Sequence, residues 1–232
     1  MVTLLADGGG SLDWSVVSAV NGLAKSLPHA ADTVLAFLGE YGVPLGSVLL
    51  LLAAWARARR EKSAPVAVAG VLWAGLAAGL ALLLNVPVRA MVERPRPFVA
   101  HPGQLDLLMS HQANGSFASD HATFTMALAV GLMLVNRRLG LVGIVLAFFE
   151  GFLRVFMGVH YPTDVLGGYA LGTATVLLLA PVAMAVLAPF THALTRTSLA
   201  PVVTAPRGSR GRALTPPLQS ETPEEPSQDL AA

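Results

Sequence analysis

Apolar residues in this chain come in long blocks, separated by short polar stretches that hold most of the charge. From about Thr33 to Trp55 the run TVLAFLGEYGVPLGSVLLLLAAW contains one ionisable residue, Glu40. About 20 apolar residues in a row are enough for a helix to cross a bilayer. A second block runs from Pro65 to about Val88, a third from Ser119 to Val135, a fourth from Leu139 to about Val159 and a fifth from Pro162 to about Phe190. Residues 13–27, DWSVVSAVNGLAKSL, are shorter and only partly apolar; they predict a helix that enters the bilayer, either as a sixth span or as an interfacial segment. The expected fold is all-α: a polytopic transmembrane bundle of six helices, five strong spans plus a short N-terminal one. From Arg196 to Ala232 the chain is rich in Pro, Ser and Glu and has no apolar periodicity. This divides it into a membrane domain, 1–195, and a tail, 196–232, expected to be disordered and cytoplasmic.

Composition supports the membrane reading. Of the 232 residues 54% are hydrophobic and 12% charged, against about 25% charged in soluble domains. The formal net charge of +1 gives no basis for a nucleic-acid partner. Without cysteine there is no disulfide framework and no thiolate metal site. Asp7 is the first charged residue, so no basic segment precedes an apolar core and a cleavable leader is not expected.

Charge placement orients the spans, because Lys and Arg accumulate in cytoplasmic loops. Arg57, Arg59, Arg60 and Lys62 fill one short loop, Arg137 and Arg138 another, and Arg196, Arg207, Arg210 and Arg212 mark the tail. Alternation puts all three on the cytoplasmic side and turns segments 89–118 and 158–163 outward. Arg89, Arg94, Arg96 and Arg154 then break the rule, and an anionic ligand is the simplest reason.

The outward segments carry the chemistry. In VRAMVERPRPF, Arg89 and Arg96 stand seven apart beside two prolines, and guanidinium forks match phosphate oxygens. Ser119 predicts an N-cap, with Asp120 and His121 in the first turn of the following helix. In RVFMGVHYPTD, Pro162 forbids one continuous helix and suits the first position of a new one. That leaves His160 beside a helix N-terminus, where unpaired N–H groups favour an anion, with Asp164 close enough to hold one imidazole nitrogen. A lone His-x-x-x-Asp is more often a surface hydrogen bond, and arginines at a membrane edge often bind only lipid headgroups. Two histidines at two helix starts, with arginines between them, fit a phosphate-attacking nucleophile and its proton donor better.

Arg89 to Pro97, Ala118-Ser119-Asp120-His121, and Arg154…His160…Asp164 resemble the three signature motifs of the type 2 phosphatidic-acid phosphatase superfamily, Lys-x6-Arg-Pro, Pro-Ser-Gly-His and Ser-Arg-x5-His-x3-Asp. With NGLA at 21–24, the pattern is similar to the bacterial undecaprenyl-diphosphatase branch, whose members recycle the lipid carrier of cell-wall synthesis and confer bacitracin resistance. The resemblance implies a two-step phosphoryl transfer at the extracytoplasmic face of the bacterial inner membrane, without metal or other cofactor. It implies that His160 is the nucleophile, Asp164 its partner and His121 the general acid. Arg89, Arg96, Ser119, Asp120 and Arg154 would hold the phosphoryl group. The implied substrate is a polyprenyl diphosphate among membrane lipids; phosphatidic acid or phosphatidylglycerol phosphate would suit the same centre. A non-catalytic anionic-lipid-binding protein would keep the arginines but has no need of the histidines.

Four positions depart from the family pattern: Arg89 for lysine, Ala118 for proline, Asp120 for glycine and Leu153 for serine. Arg94 reads as a headgroup contact or a partner for Glu93, and Glu150 as a partner for Arg154 one turn on. Glu40 should face the bundle interior. Gly168 and Gly172 predict close helix packing. His29, His101, His111 and His192 match no motif and are expected at the polar surface, and Asn114-Gly-Ser116 fits a glycosylation sequon.

Overall fold

A computed structural model describes residues 6–205. Its order is α1 (Ala6–Gly22), α2 (His29–Phe37), α3 (Val43–Ala58), α4 (Ala64–Val92), α5 (Pro97–Ala100), α6 (Asp120–Val135), α7 (Arg137–Phe156), α8 (Pro162–Leu194) and α9 (Ala200–Val203), with no strand among the described residues. A π turn, Leu38–Gly42, joins α2 to α3, so His29–Ala58 forms one 30-residue rod. Four helical stretches are long and apolar enough to cross a membrane: His29–Ala58, Ala64–Ala100, Arg137–Phe156 and Pro162–Leu194.

The third strong span, α6, is shorter, at 16 residues, or about 24 Å of rise. It is the centre of the bundle, packed against α4, α7 and α8 and touching α3. Ala122, Ala127, Ala129 and Leu132 are buried along it. Close approach there depends on glycines of its neighbours. A Cβ on Gly168 would lie 2.7 Å from Ser119 O, and one on Gly172 2.5 Å from Thr123 O. The small-residue spacing on α8 is thus the seam against α6. Outward faces are apolar, with Leu83 68% and Leu178 76% exposed, as a lipid solvent requires. The molecule is a multi-pass membrane protein.

The two ends of the bundle differ. At one end Trp55 Nε1 donates to Val202 O (3.0 Å) and Ala205 N to Arg59 O (2.8 Å). The start of the expected tail is therefore helical at α9 and docked beside the basic 57–62 loop, with Val203 buried; the remainder, 206–232, lies outside the described residues. At the other end Asn21 Nδ2 donates to Phe156 O and Asp106 O, both 2.8 Å, and its Oδ1 accepts from Asp106 N. One amide from α1 thereby ties the 101–118 loop to the end of α7.

Candidate active site

The α7–α8 connection is built from local rules. Helix α7 ends at Phe156 rather than near Val159, because Gly158 adopts φ +72°. Gly158 N donates to Val155 O and Val159 N to Arg154 O, the paired bonds of a helix end that needs glycine in the left-handed region. Four residues after Gly158, Pro162 opens α8, and Asp164 Oδ2 accepts the Tyr161 N–H at 2.8 Å. His160 is trapped between these two ends, 3% exposed.

Its ring nitrogens face different partners. Nδ1 lies 3.6 Å from Asp164 Oδ2, in ion-pair range but beyond a hydrogen bond. Nε2 lies 3.2 Å from Arg96 Nη1, which also donates to Val159 O at 3.1 Å. A guanidinium can only donate, so Nε2 carries the lone pair and the ring proton sits on Nδ1, facing Asp164. Burial is the largest influence on His160 and pushes its pKa down to about 4; Asp164 opposes this, while the Arg154 and Arg96 charges reinforce it. The ring is neutral at pH 7, with the Nε2 lone pair directed at Arg96 Nη1.

Arg96 is held from behind by Asn114, whose Oδ1 accepts from Nε at 2.9 Å. The sequon asparagine is therefore part of the site. Arg94 pairs with Asp164 and Asp13 rather than with Glu93. Its Nη1 donates to Asp164 Oδ1 (2.9 Å) and Thr163 Oγ1 (2.6 Å), and its Nη2 to Asp13 Oδ2 (2.7 Å). Its guanidinium also lies over the Tyr161 ring at 3.9 Å, and Asp13 Oδ2 accepts a hydrogen bond from Thr163 Oγ1. This clamp fixes the fully buried Asp164 across the gap from α1 to α8.

The second segment joins the same end. Ser119 caps α6, accepting from Ala122 N, and its own N–H donates to Asp164 O at 3.0 Å. That bond sets the starts of α6 and α8 side by side, bringing Ser119, Asp120 and His121 to the His160 end of the bundle. Asp120 pairs with Arg89 and accepts from Asn85 Nδ2 at 2.7 Å. Asn85 Nδ2 also donates to Ala118 O at 2.8 Å, which fixes the turn where the family has proline. Arg89, Arg94, Arg96 and Asn114 line an open cavity of about 490 Å³, with Val86 and Val99 in the same lining. His121 Nε2 lies 3.3 Å from Glu40 O, an acceptor, so this nitrogen bears a proton.

Arg154 is buried and pairs with Glu40 at 2.8 Å, not with Glu150. Both Glu150 oxygens are buried without a hydrogen-bond partner among the described residues. Glu40 does face inward, as expected. His111 is no surface residue: its Nε2 lies 2.8 Å from Arg154 Nη2 and 3.2 Å from Glu40. His101 stacks on Trp14 at 3.7 Å. Leu153, in place of the family serine, is fully buried, and its Cβ would lie 3.0 Å from a Cβ built on Gly39.

All eight residues proposed from the sequence thus gather at one end of the bundle, joined by contacts among the three segments. The residues missed (Asp13, Glu40, Asn85, His111 and Asn114) are single polar residues in apolar or loop context; of these Glu40 stood out in the sequence as ionisable within a span, and Asn114 only as part of a sequon.

Comparison with known proteins agrees with this geometry. The model for the PAP2 superfamily matches residues 70–199. The chain is 31% identical over 156 residues to the undecaprenyl-diphosphatase BcrC of Bacillus subtilis (strain 168), covering 67% of this chain and 76% of that one. It is 36% identical over 150 residues to the decaprenylphosphoryl-5-phosphoribose phosphatase of Mycobacterium tuberculosis (strain ATCC 25618 / H37Rv), 64% of this chain and 72% of that one. The crystal structure of Aquifex aeolicus LpxE shares the fold, with a TM-score of 0.53 at 21% identity over 72% of this chain and 93% of that one. With two histidines and their arginines gathered where three segments meet, and a family model that spans those segments, this chain belongs to the PAP2 superfamily and is a membrane lipid phosphatase.

Proposed function

We propose that the substrate is a polyprenyl diphosphate of the undecaprenyl type, cleaved to the monophosphate and phosphate at the outer face of a bacterial inner membrane. The observation that carries the proposal is the unprotonated His160 Nε2 lying 3.2 Å from the Arg96 guanidinium. A terminal phosphoryl group that takes Arg96 Nη1 as a donor to its own oxygen releases the Nε2 lone pair to attack the phosphorus. Nε2 bonds to the terminal phosphorus as the bridging P–O bond breaks, and Asp164 balances the charge that develops on the ring. His121 in its protonated form, Nε2–H held on Glu40 O, gives the proton of its other nitrogen to the departing oxygen; that nitrogen then takes a proton from water as the water attacks the phosphorus and the P–N bond breaks. Arg89, Arg96, Arg154 and Ser119 hold the charge of the phosphoryl oxygens through both steps. No metal or cofactor has a role in this scheme. The likeness to the BcrC protein and the apolar Val86 and Val99 in the cavity lining support a long prenyl chain.

The test is phosphate release by purified protein in detergent with chelator present, across polyprenyl diphosphate, polyprenyl monophosphate esters, phosphatidic acid and phosphatidylglycerol phosphate. The expected result is preference for the diphosphate, undiminished by chelator and abolished in His160→Ala. Preference for phosphatidic acid would overturn the substrate, and equal release by His160→Ala the chemistry.

A further inference from the structure

The turn Leu38–Gly42 in the first span leaves α-helical register and forms a π turn. Such single-turn bulges interrupt otherwise regular helices, frequently at functional sites. It lies outside the segment matched by the superfamily model, residues 70–199. Gly39 lets it sit hard against α7, since a Cβ there would be 3.0 Å from Leu153 Cβ and Met157 Sδ. From that position the turn touches two groups of the active site. Gly39 O and Glu40 Oε2 accept from Arg154 Nη1, at 3.3 and 2.8 Å, and Glu40 O accepts from His121 Nε2 at 3.3 Å.

Arg154 has five N–H donors. Nη1 is occupied by the π turn and one Nη2 hydrogen faces His111 Nε2, so the end-on edge of the guanidinium is taken by protein. Its Nε is buried without a partner among the described residues. Nε–H and the second Nη2–H form the other edge of the fork, which matches two oxygens of a phosphoryl group. Glu150, one turn earlier on the same helix, does not compete for Arg154.

We infer that Glu40 is a positioning residue of the active site. Together with His111 it grips one edge of Arg154 so that the other edge is presented to the phosphoryl group, and its backbone carbonyl orients His121. The inference rests on the phosphatase reading of the site. It adds a fourth segment, from the first span, to the three that bear the family motifs. Glu40 touches no reacting atom and acts through Arg154 and His121.

The experiment compares the parent, Glu40→Gln, His111→Gln, Arg154→Lys and the Glu40→Gln/Arg154→Lys double variant. Each is assayed for kcat and KM on polyprenyl diphosphate, for competitive inhibition by orthovanadate, and for the rise in Tm produced by inorganic phosphate. Glu40→Gln should lower kcat/KM and weaken vanadate inhibition by about tenfold or more, the size of one lost charge-assisted bond, and should abolish the phosphate-induced rise in Tm. His111→Gln, which keeps an acceptor for Nη2 and leaves the carboxylate in place, should fall between it and the parent. The double variant should be no worse than Arg154→Lys alone, because both changes act on one contact. If Glu40→Gln does not fold, a His111→Gln protein with unchanged vanadate inhibition overturns the inference. Parent-like inhibition and turnover in Glu40→Gln, or additive losses in the double variant, overturn it while leaving the phosphatase reading intact. A parent that releases no phosphate from lipid, yet is stabilised by inorganic phosphate only when Glu40 is present, overturns the phosphatase reading instead.

Discussion

Arg94 offers the sharpest test of how the site is held, because the sequence suggests a headgroup contact or a partner for Glu93 and the structure pairs it with two other carboxylates. Its guanidinium bridges Asp164, which is 0% exposed, and Asp13, 6% exposed, while donating to Thr163 and covering Tyr161. Arg94→Ala would leave two buried carboxylates without their cation. Removing one partner of a buried pair costs about 3–5 kcal/mol. The Arg94 side chain is 24% exposed, so the lower end, about 3 kcal/mol, is appropriate. For a chain of this size that is a fall in Tm of roughly 6–12 °C. Arg94→Lys keeps the charge but cannot reach both carboxylates with a planar fork, and about half the loss is expected. The assay is thermal unfolding in detergent beside phosphate release at saturating substrate, where kcat should fall as Asp164 loosens behind His160. A variant that melts within 2 °C of the parent and shows only a raised KM would refute the clamp and restore the headgroup contact.

Four further outcomes follow from the geometry. Because the folded pKa of His160 is lowered to about 4 from an ordinary value near 6.5, its attacking nitrogen should stay unprotonated down to about pH 4. The acid limb that His160 imposes on kcat/KM should then fall near pH 4, and a His160 ring that titrates near 6.5 by NMR would contradict it. The same shift makes stability fall as pH drops from about 6.5 towards 4, since the unfolded chain takes up a proton that the folded chain refuses; Tm measured across that window checks this. Glu150→Met, which replaces an unpartnered buried carboxyl with an apolar side chain of similar length, should raise stability by about 1–3 kcal/mol with turnover unchanged, whereas a lower Tm would mean that the carboxyl has a partner. Gly168→Ala, whose Cβ would press on Ser119 O at 2.7 Å, should cost about 1–3 kcal/mol and lower kcat by displacing the α6 cap; parent-like Tm and turnover would count against that seam.

Hydropathy alone located the spans to within a few residues, because lipid demands uninterrupted apolar helix. The starts of α6 and α8 were legible from Ser119 and Pro162, whose capping and ring chemistry act locally. The end of α7 was misplaced by three residues, since the turn is decided by Gly158 at positive φ and glycine alone does not announce which sign it takes. The roles of Arg94 and Arg154 were not legible for a different reason. Each has a nearby acidic neighbour in sequence, Glu93 and Glu150, yet each pairs with a carboxylate 70 or more positions away. Helical spacing specifies which residues share a face, but the choice between two carboxylates depends on how α1, α3 and the 101–118 loop fold over the end of the bundle. His111 and Asn114 were unreadable because an irregular loop has no period from which to infer direction. The three motifs escaped this limit since their residue types and spacing carry the chemistry without knowledge of the packing.

The central claim is that His160 takes the phosphoryl group while His121 serves the leaving oxygen and the water. Its most direct measurement is mass spectrometry of peptides from protein quenched in alkali during turnover of polyprenyl diphosphate, with the His121→Ala variant slowing release of the intermediate. The account predicts one phosphoryl group per chain, mapped to His160 and accumulating in His121→Ala. Phosphate bonded to another residue, or steady turnover by His160→Ala, would contradict it.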